Sequence, residues 1–158
     1  MLPSRLPLVL DALVDLCTAA TTPGAPLEGV RILDGPPATE LADRRVLALG
    51  DDDQSATAAT AQQEWATLGR GAKDESGFIT CTAYARAGDT DLRARRAEVF
   101  ALMAALETLL RPGQPDTDPT LGGLVLWTAV GGQITYRQEQ QGGSLAVLTF
   151  EVAYRARI

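Results

Sequence analysis

The last sixteen residues of this 158-residue chain, GSLAVLTFEVAYRARI, constrain its fold more than any other segment. Apolar side chains occupy every even position from Ala146 to Ile158. Successive side chains of a strand point to opposite faces, so this spacing predicts a strand with one buried face. Polar side chains take odd positions toward the end: Thr149, Glu151, Arg155 and Arg157. We therefore expect the chain to end in a long strand that covers a core.

The residues before this strand predict its hairpin partner. LGGLVLWTAVGGQITYRQEQQ leads through the turn residues QQGGS into the closing strand. A three-residue loop at 142–144 sets Phe150 opposite Tyr136, so that apolar side chains meet. A two-residue loop sets Phe150 opposite Thr135 instead. The apolar pairing favours the three-residue loop.

The glycine pair at 131–132 allows two arrangements of the first hairpin arm. It can be a bulge in one long strand, which shifts the side-chain parity so that Trp127 and Ala129 rejoin the apolar face. Alternatively, it is a tight turn, and the end of the sheet is a three-stranded meander. The sequence leaves both open.

Two segments have the apolar spacing of three and four residues that indicates amphipathic helices. The first covers 6–20. The second begins at a cap on Asp89 or Thr90 and stops at Pro112. Its roughly 21 residues span about 30 Å, whereas a hairpin arm of about 14 residues spans roughly 45 Å. One end of the hairpin is therefore expected to overhang the core and to expose backbone edges.

Shorter strands are predicted between the helices, at 29–35, at 44–50, from 64 to 69 and at 77–88. In the last of these, Ile79 and Cys81 begin one face, while Phe78 and Thr80 begin the other. The stretch 51–63 has no large apolar side chain, so we expect a mobile loop there.

The order of these elements predicts an α+β fold. We expect a mostly antiparallel sheet with the two main helices packed on one face and a long C-terminal β-hairpin. The length favours a single domain over 1–158.

The residue inventory narrows the chemistry. The chain has no histidine and only two cysteines, Cys17 and Cys81, which removes Ser-His-Asp and Cys-His catalysis and the commonest metal ligands. The acidic run at 51–53 lacks the spacing of an EF-hand loop, because Ala56 and Gln62 stand where glycine and glutamate are needed. We expect no catalytic residues, no metal site and no cofactor, and hence no enzyme.

Charge and hydropathy exclude further classes. The formal net charge of −6 argues against a general nucleic-acid binder and against an anionic membrane surface. Asp11 and Asp15 interrupt the apolar N-terminal stretch, so it is expected to be neither a signal peptide nor a membrane span.

Together these patterns resemble the tail terminator proteins of long-tailed bacteriophages. The resemblance is carried by the apolar N-terminal helix, VRILDGPP, a tryptophan-containing strand followed by ESGFITCTAYARAGDTDLRARRAEVFALMAALETLL, and the closing LAVLTFEVAYRARI. It implies a homohexameric ring that caps the tail tube, ends its polymerisation and offers a docking surface for the head–tail connector. It also implies a lumen through which DNA passes without sequence-specific binding, and a place in the tail-neck region of the virion after synthesis in the bacterial cytoplasm.

The resemblance and the charge pattern together indicate eight candidate interface residues. They are Asp51, Asp52, Asp53, Arg93, Arg96, Glu151, Arg155 and Arg157. The acidic run is expected to face the lumen or a neighbouring ring. The helix arginines and the odd face of the last strand are expected to be two different contact patches, as closed head-to-tail assembly requires, with Glu151 as a partner for the arginines.

Other interpretations remain open. A solvated helix face also explains Arg93 and Arg96. A different neck protein, such as a stopper or completion protein, fits the same patterns, as does the cap of a phage-derived injection device. A small ligand-binding or enzymatic α+β domain is the alternative from another class, and it predicts a concave pocket with converging polar groups.

Overall fold

The computed structural model describes residues 2–39, 42–67 and 71–158. It has two helices and a mixed sheet of seven strands. In chain order the elements are α1 (Leu6–Ala19), β1 (Arg31–Asp34), β2 (Arg45–Leu49), β3 (Ala59–Trp65), β4 (Lys73–Ala87), α2 (Leu92–Leu109), β5 (Trp127–Val130), β6 (Thr135–Gln140) and β7 (Ser144–Arg157). The α+β fold with a mostly antiparallel sheet and a C-terminal hairpin is confirmed.

Strands β4 and β7 form the centre of the sheet. They pair antiparallel over 14 residue pairs, from Asp74 opposite Arg157 to Ala87 opposite Ser144. Because both are so long, each has two shorter neighbours: β3 and β2 lie along β4, while β5 and β6 lie along β7. Strand β1 joins β2 in parallel. The sheet therefore has different edge strands at its two ends.

The core lies between the sheet and both helices. The even side chains of β7 from Ala146 to Ala156 are buried, as the alternation predicted. They pack in one cluster with Ile79 and Cys81 of β4 and with apolar residues of α1 and α2, such as Leu13 and Leu106. Both helices thus cover the same face of the sheet.

The hairpin does not overhang this core, so that expectation is wrong. Ala156 is fully buried near the very end of β7. The backbone N–H of Arg5 donates to the Glu75 carboxylate at 3.0 Å, and Glu75 lies opposite Ala156. The start of α1 therefore extends the helical layer beyond the reach of α2. It is the opposite face of the sheet that is left open.

The hairpin loop has three residues, as predicted, but it lies at 141–143, because Gln140 pairs with Ser144. Tyr136 consequently faces Leu148, and the predicted pairing with Phe150 is wrong by two residues. Gly142 and Gly143 both adopt positive φ angles, 67° and 142°, which glycine tolerates best. This conformation fixes both glycines inside the loop and moves Ser144 into β7.

The glycine pair at 131–132 lies in a bulge, which is the first of the two predicted arrangements. Val130 pairs with Val152 and Thr135 with Thr149, so β5–β6 has two more residues than β7 over this interval. An even number of inserted residues preserves the parity. Thr128 therefore faces the core, and the prediction that Trp127 rejoins the apolar face is wrong.

Two element boundaries also differ from the sequence prediction. The stretch 51–63 is not all loop, because β3 begins at Ala59. Strand β4 begins at Lys73, four residues before the predicted strand at 77–88. Backbone pairing with β4 holds β3 in place although its side chains are mostly exposed. Residues 68 and 69 of the predicted strand 64–69 lie outside the described residues. Mobility of the remaining loop, 51–58, stays a prediction.

The N-cap of α2 is Asp91, not Asp89 or Thr90. The Asp91 carboxylate accepts from the backbone N–H of Ala94 at 3.0 Å, whereas Asp89 accepts from the Ser144 hydroxyl at 2.7 Å. In the described part of the chain, neither helix has both the length and the apolar character needed to cross a membrane.

Candidate functional site

The helix-free face of the sheet is open at the end where β3, β4, β7 and β5 lie side by side. Side chains on this face form two rows. One row contains Thr60, Phe78, Ala153 and Ala129, and the next contains Gln62, Ser76, Arg155 and Trp127. We call these two rows the open patch. Phe78 is 42% exposed and Trp127 is 44% exposed, so the patch presents two aromatic rings to solvent.

An ion cluster borders the open patch. The Asp74 carboxylate accepts from Nε and one terminal nitrogen of Arg157 at 2.8 and 3.0 Å, and from Arg155 at 3.3 Å. The hydrogen bonds from Arg157, and then those from Arg155, hold the pKa of Asp74 below its usual range. Both arginines are predicted interface residues, and the structure places them together on this face. Asp74, which orients them, was not predicted.

Glu151 lies on the same face, one row beyond Phe78 and Ala153. It is half-buried, and its carboxylate is 3.4 Å from the backbone nitrogen of Gln133 in the bulge. The predicted strand patch of Glu151, Arg155 and Arg157 therefore exists as one surface.

The helix arginines lie on the other side of the molecule. Arg93 and Arg96 are both exposed on α2, and Arg96 donates to the Gln138 side chain at 3.2 Å and lies 5.8 Å from the Tyr136 ring centre. Within one chain they are separated from Glu151 by the sheet. The two predicted patches thus face in opposite directions.

The three predicted aspartates lie at the other end of the helix-free face, and each contacts different groups. Asp51 is buried and accepts from the Tyr84 hydroxyl at 2.7 Å. Asp53 accepts twice from the Arg137 guanidinium, at 2.9 and 3.1 Å. Asp52 accepts within its own turn. Tyr84 and Thr82 on β4 therefore fix Asp51 against the sheet, and whether the acidic run faces the lumen or a neighbouring ring stays a prediction.

The contacts of this loop close its end of the face. Val46, Ala48 and Val147 are buried there, although they point away from the helices. Burial raises the pKa of Asp51, and the bond from Tyr84 offsets only part of that effect. The bond to Asp53 raises the pKa of Arg137. The helix-free face is therefore partly covered by polar contacts at one end and open at the other.

Because the pKa of Asp51 is raised, we expect Asp51→Asn to increase the free energy of unfolding, by an amount that depends on pH. The protonated Asp51 side chain contributes its full stability below the usual aspartate pKa of about 3.9. This stability is lost as the pH rises through the raised pKa. Asparagine can still accept from Tyr84 but has no charge. We expect equal urea midpoints near pH 3.5 and a higher midpoint for the variant at pH 7. Asp15→Asn on the exposed face of α1 is the control, and a lower Asp51→Asn midpoint at pH 7 would contradict the interpretation.

Among the described residues, two surface clefts lie beyond the open patch, one of them at the Tyr84 end of the helix-free face. One, of about 730 Å³, lies beside the hairpin loop and includes Arg44, Arg86 and Tyr84. The guanidinium of Arg44, one of its lining residues, donates to Glu98 on α2 at 2.8 Å. The other, of about 1,020 Å³, lies between the C-terminal ends of the helices. No group of three metal-ligating side chains occurs among the described residues.

The sequence matches no protein-family model, and it is not significantly similar to any curated protein.

Proposed function

We propose that the protein is a structural subunit of a phage tail, a tail terminator that forms a homohexameric ring. The ring caps the tail tube, ends its polymerisation and offers a docking surface to the head–tail connector, while DNA passes through its lumen. This function requires two different protein-binding faces and no chemistry. Its location would be the tail-neck region of the virion.

The observation that carries the proposal is the open patch. Phe78 and Trp127 are large apolar side chains on a sheet face with no helical layer over it. Aromatic residues and arginines are enriched in the buried centres of protein interfaces, and Arg155 lies in the same patch. We assign this patch to one protein partner of the ring, either the tube end or the connector.

The position of the helix arginines supports a two-sided particle. Arg93 and Arg96 point away from the open patch, on the far side of the sheet. A ring built from such subunits has two chemically different surfaces. This asymmetry lets one face match the tube while the other denies it a further tube subunit.

Native mass spectrometry and negative-stain images of the protein mixed with tube protein test the proposal. We expect six-copy annuli at the ends of tubes. Free protein that stays monomeric beside tubes with bare, growing ends would contradict it.

A paired substitution tests the role of the open patch. Phe78→Ser with Trp127→Ser removes both aromatic rings from exposed positions, so the fold should persist. A buried aromatic anchor at an interface contributes about 2 kcal/mol or more, so the loss of even one of the two anchors should weaken binding to that partner by about 30-fold. Leu2→Ser, at 48% exposure outside the patch, is the matched control, and equal binding by both variants would contradict the assignment.

A further inference from the structure

Strand β3 has a free backbone edge. The even-numbered residues of β3 form the backbone hydrogen bonds to β4. Two bonds that flank the strand show this: Thr80 N–H donates to the Ala58 carbonyl at 3.0 Å, and Ala66 N–H donates to the Ala72 carbonyl at 2.9 Å. Inter-strand bonds alternate along an antiparallel pair. The odd residues therefore direct their N–H and C=O groups away from the sheet; they are Ala59, Ala61, Gln63 and Trp65.

This edge lacks the devices that usually prevent pairing with another chain. Edge strands are commonly protected by proline, by charged side chains, especially lysine, by a bulge or by a covering loop. The sequence of β3, ATAQQEW, has no proline, no lysine and a single charged residue, Glu64, and its pairing with β4 runs without a bulge. Six of its seven residues are exposed. The edge is therefore available to a further strand.

Strand β6 has a complementary free edge on the opposite margin of the sheet. Ile158 and Lys73 exchange backbone hydrogen bonds of 2.8 and 2.9 Å. Because such bonds recur at every second residue of an antiparallel pair, the even-numbered residues of β7 bond to β4 and its odd-numbered residues bond to β6. By the register of β6 with β7, the outward backbone groups of β6 belong to Tyr136, Gln138 and Gln140.

The strand directions and faces of the two edges also match. Strands β3 and β7 run opposite to β4, and β6 runs with it. A second copy in the same orientation therefore places its β3 antiparallel to β6 of the first. The outward residues of both strands lie on the helix side, because Tyr136 pairs with Leu148 and Gln63 pairs with Glu75. Opposed residues of an antiparallel pair share a face, so the sheet continues without a change of face.

We propose that copies of this chain join edge to edge, with β6 of one copy pairing antiparallel with β3 of the next, an inference that rests on the proposed ring. One register brings Gln138 opposite Gln63 of the next copy. It sets Tyr136 opposite Trp65 and Arg137 opposite Glu64, an aromatic pair and an opposite-charge pair, both of which stabilise sheets. The contact uses two different edges, so it is heterologous and propagates until the ring closes.

A two-fold contact between the β3 edges of two copies is the competing arrangement. It ends at a dimer, leaves the β6 edge unpaired and sets no opposite charges against each other. Disulfide trapping separates the two arrangements.

The test joins Gln62→Cys with Glu139→Cys in one chain. In the proposed register these positions form a non-hydrogen-bonded pair between copies, with Cα atoms about 4.5 Å apart, within disulfide range. Native Cys17 and Cys81 are buried, so the wild-type chain should not cross-link. Oxidation of the assembled double variant should give a ladder of covalent oligomers on a non-reducing gel.

Two matched variants control for position. Gln62→Cys with Thr135→Cys displaces the second thiol by four residues, about 13 Å along the strand, and should give no ladder. Gln62→Cys alone should also stay uncross-linked, and a cross-linked dimer from it would overturn the proposal in favour of two-fold pairing.

The outcomes also distinguish this inference from the proposed function. Hexameric annuli of the double variant without a ladder would overturn the edge pairing and leave the ring standing. A ladder within open filaments would support the pairing and contradict the ring. The absence of both annuli and ladder beside tube protein would overturn both.

Discussion

Gly77→Ala is expected to lower the free energy of unfolding by about 2–3 kcal/mol, the upper part of the usual range of about 1–3 kcal/mol for overpacking a well-packed site. A Cβ atom at position 77 would lie 2.5 Å from Cε1 of Tyr154 and 2.8 Å from the carbonyl oxygen of Thr60. Neither neighbour can move easily. The Tyr154 ring is buried and its hydroxyl donates to Glu75 at 2.9 Å, while the Thr60 oxygen belongs to the backbone of β3.

Gly88→Ala is the matched control, because a Cβ atom there meets nothing within 4 Å. Urea unfolding of the two variants should differ by most of the predicted loss. Equal stability of Gly77→Ala and Gly88→Ala would mean that β3 and Tyr154 do not pack around Gly77 as described.

Glu75→Ala is expected to destabilise the fold by about 2–4 kcal/mol, since each buried partner left without an acceptor costs about 1–3 kcal/mol. The fully buried carboxylate accepts from the Tyr154 hydroxyl at 2.9 Å, from the backbone N–H of Arg5 at 3.0 Å and from the Gln63 amide at 2.7 Å. These bonds join α1, β3 and β7. Glu64→Ala, on the exposed side of β3, is the control and should change stability by less than about 0.5 kcal/mol.

The Glu75 site also predicts a pH dependence. Burial alone would raise the pKa of Glu75, but hydrogen bonds from Gln63, Ser4, Tyr154 and the Arg5 backbone outweigh it and lower the pKa. The stability from this group is therefore present above the usual glutamate pKa of about 4.3 and is lost as the pH falls through the lowered value.

Glu75→Gln isolates this contribution from the other carboxylates with lowered pKa values, because those titrate in both proteins. The urea midpoint of the wild type should exceed that of the variant by the largest amount at pH 7, and this difference should decrease between about pH 5 and pH 3. A gap that stays constant from pH 7 to pH 3 would contradict the lowered pKa.

The alternation of apolar and polar residues could predict those strands that bury one face and expose the other. The even face of β7 and the Ile79–Cys81 face of β4 are buried as expected. Strand β3 was missed for the converse reason. Its main chain pairs with β4 while most of its side chains stay in water, so neither apolar content nor periodicity marks it. The hairpin register failed because two glycines permit a turn at several positions, and only their φ angles fix one.

The candidate site was predicted in the same uneven way. The parity of β7 placed Glu151, Arg155 and Arg157 on one outward face, and the structure agrees. The position of Trp127 depended on how many residues the bulge inserts, which the glycine pair does not reveal. The burial of Asp51 depends on Tyr84, a contact between residues 33 positions apart that no local pattern marks.

The accessibility of Trp127 tests the open patch most directly. The chain has two tryptophans, so Trp65→Phe leaves Trp127 as its sole tryptophan, and the partner proteins are prepared with their own tryptophans replaced by phenylalanine. Acrylamide should quench the Trp127 fluorescence strongly in the free protein, where this side chain is 44% exposed. The quenching should fall several-fold when the hexamer has bound both tube and connector proteins. Quenching that is equally strong in the free chain and in the complete joint would contradict the assignment of this face to protein contact.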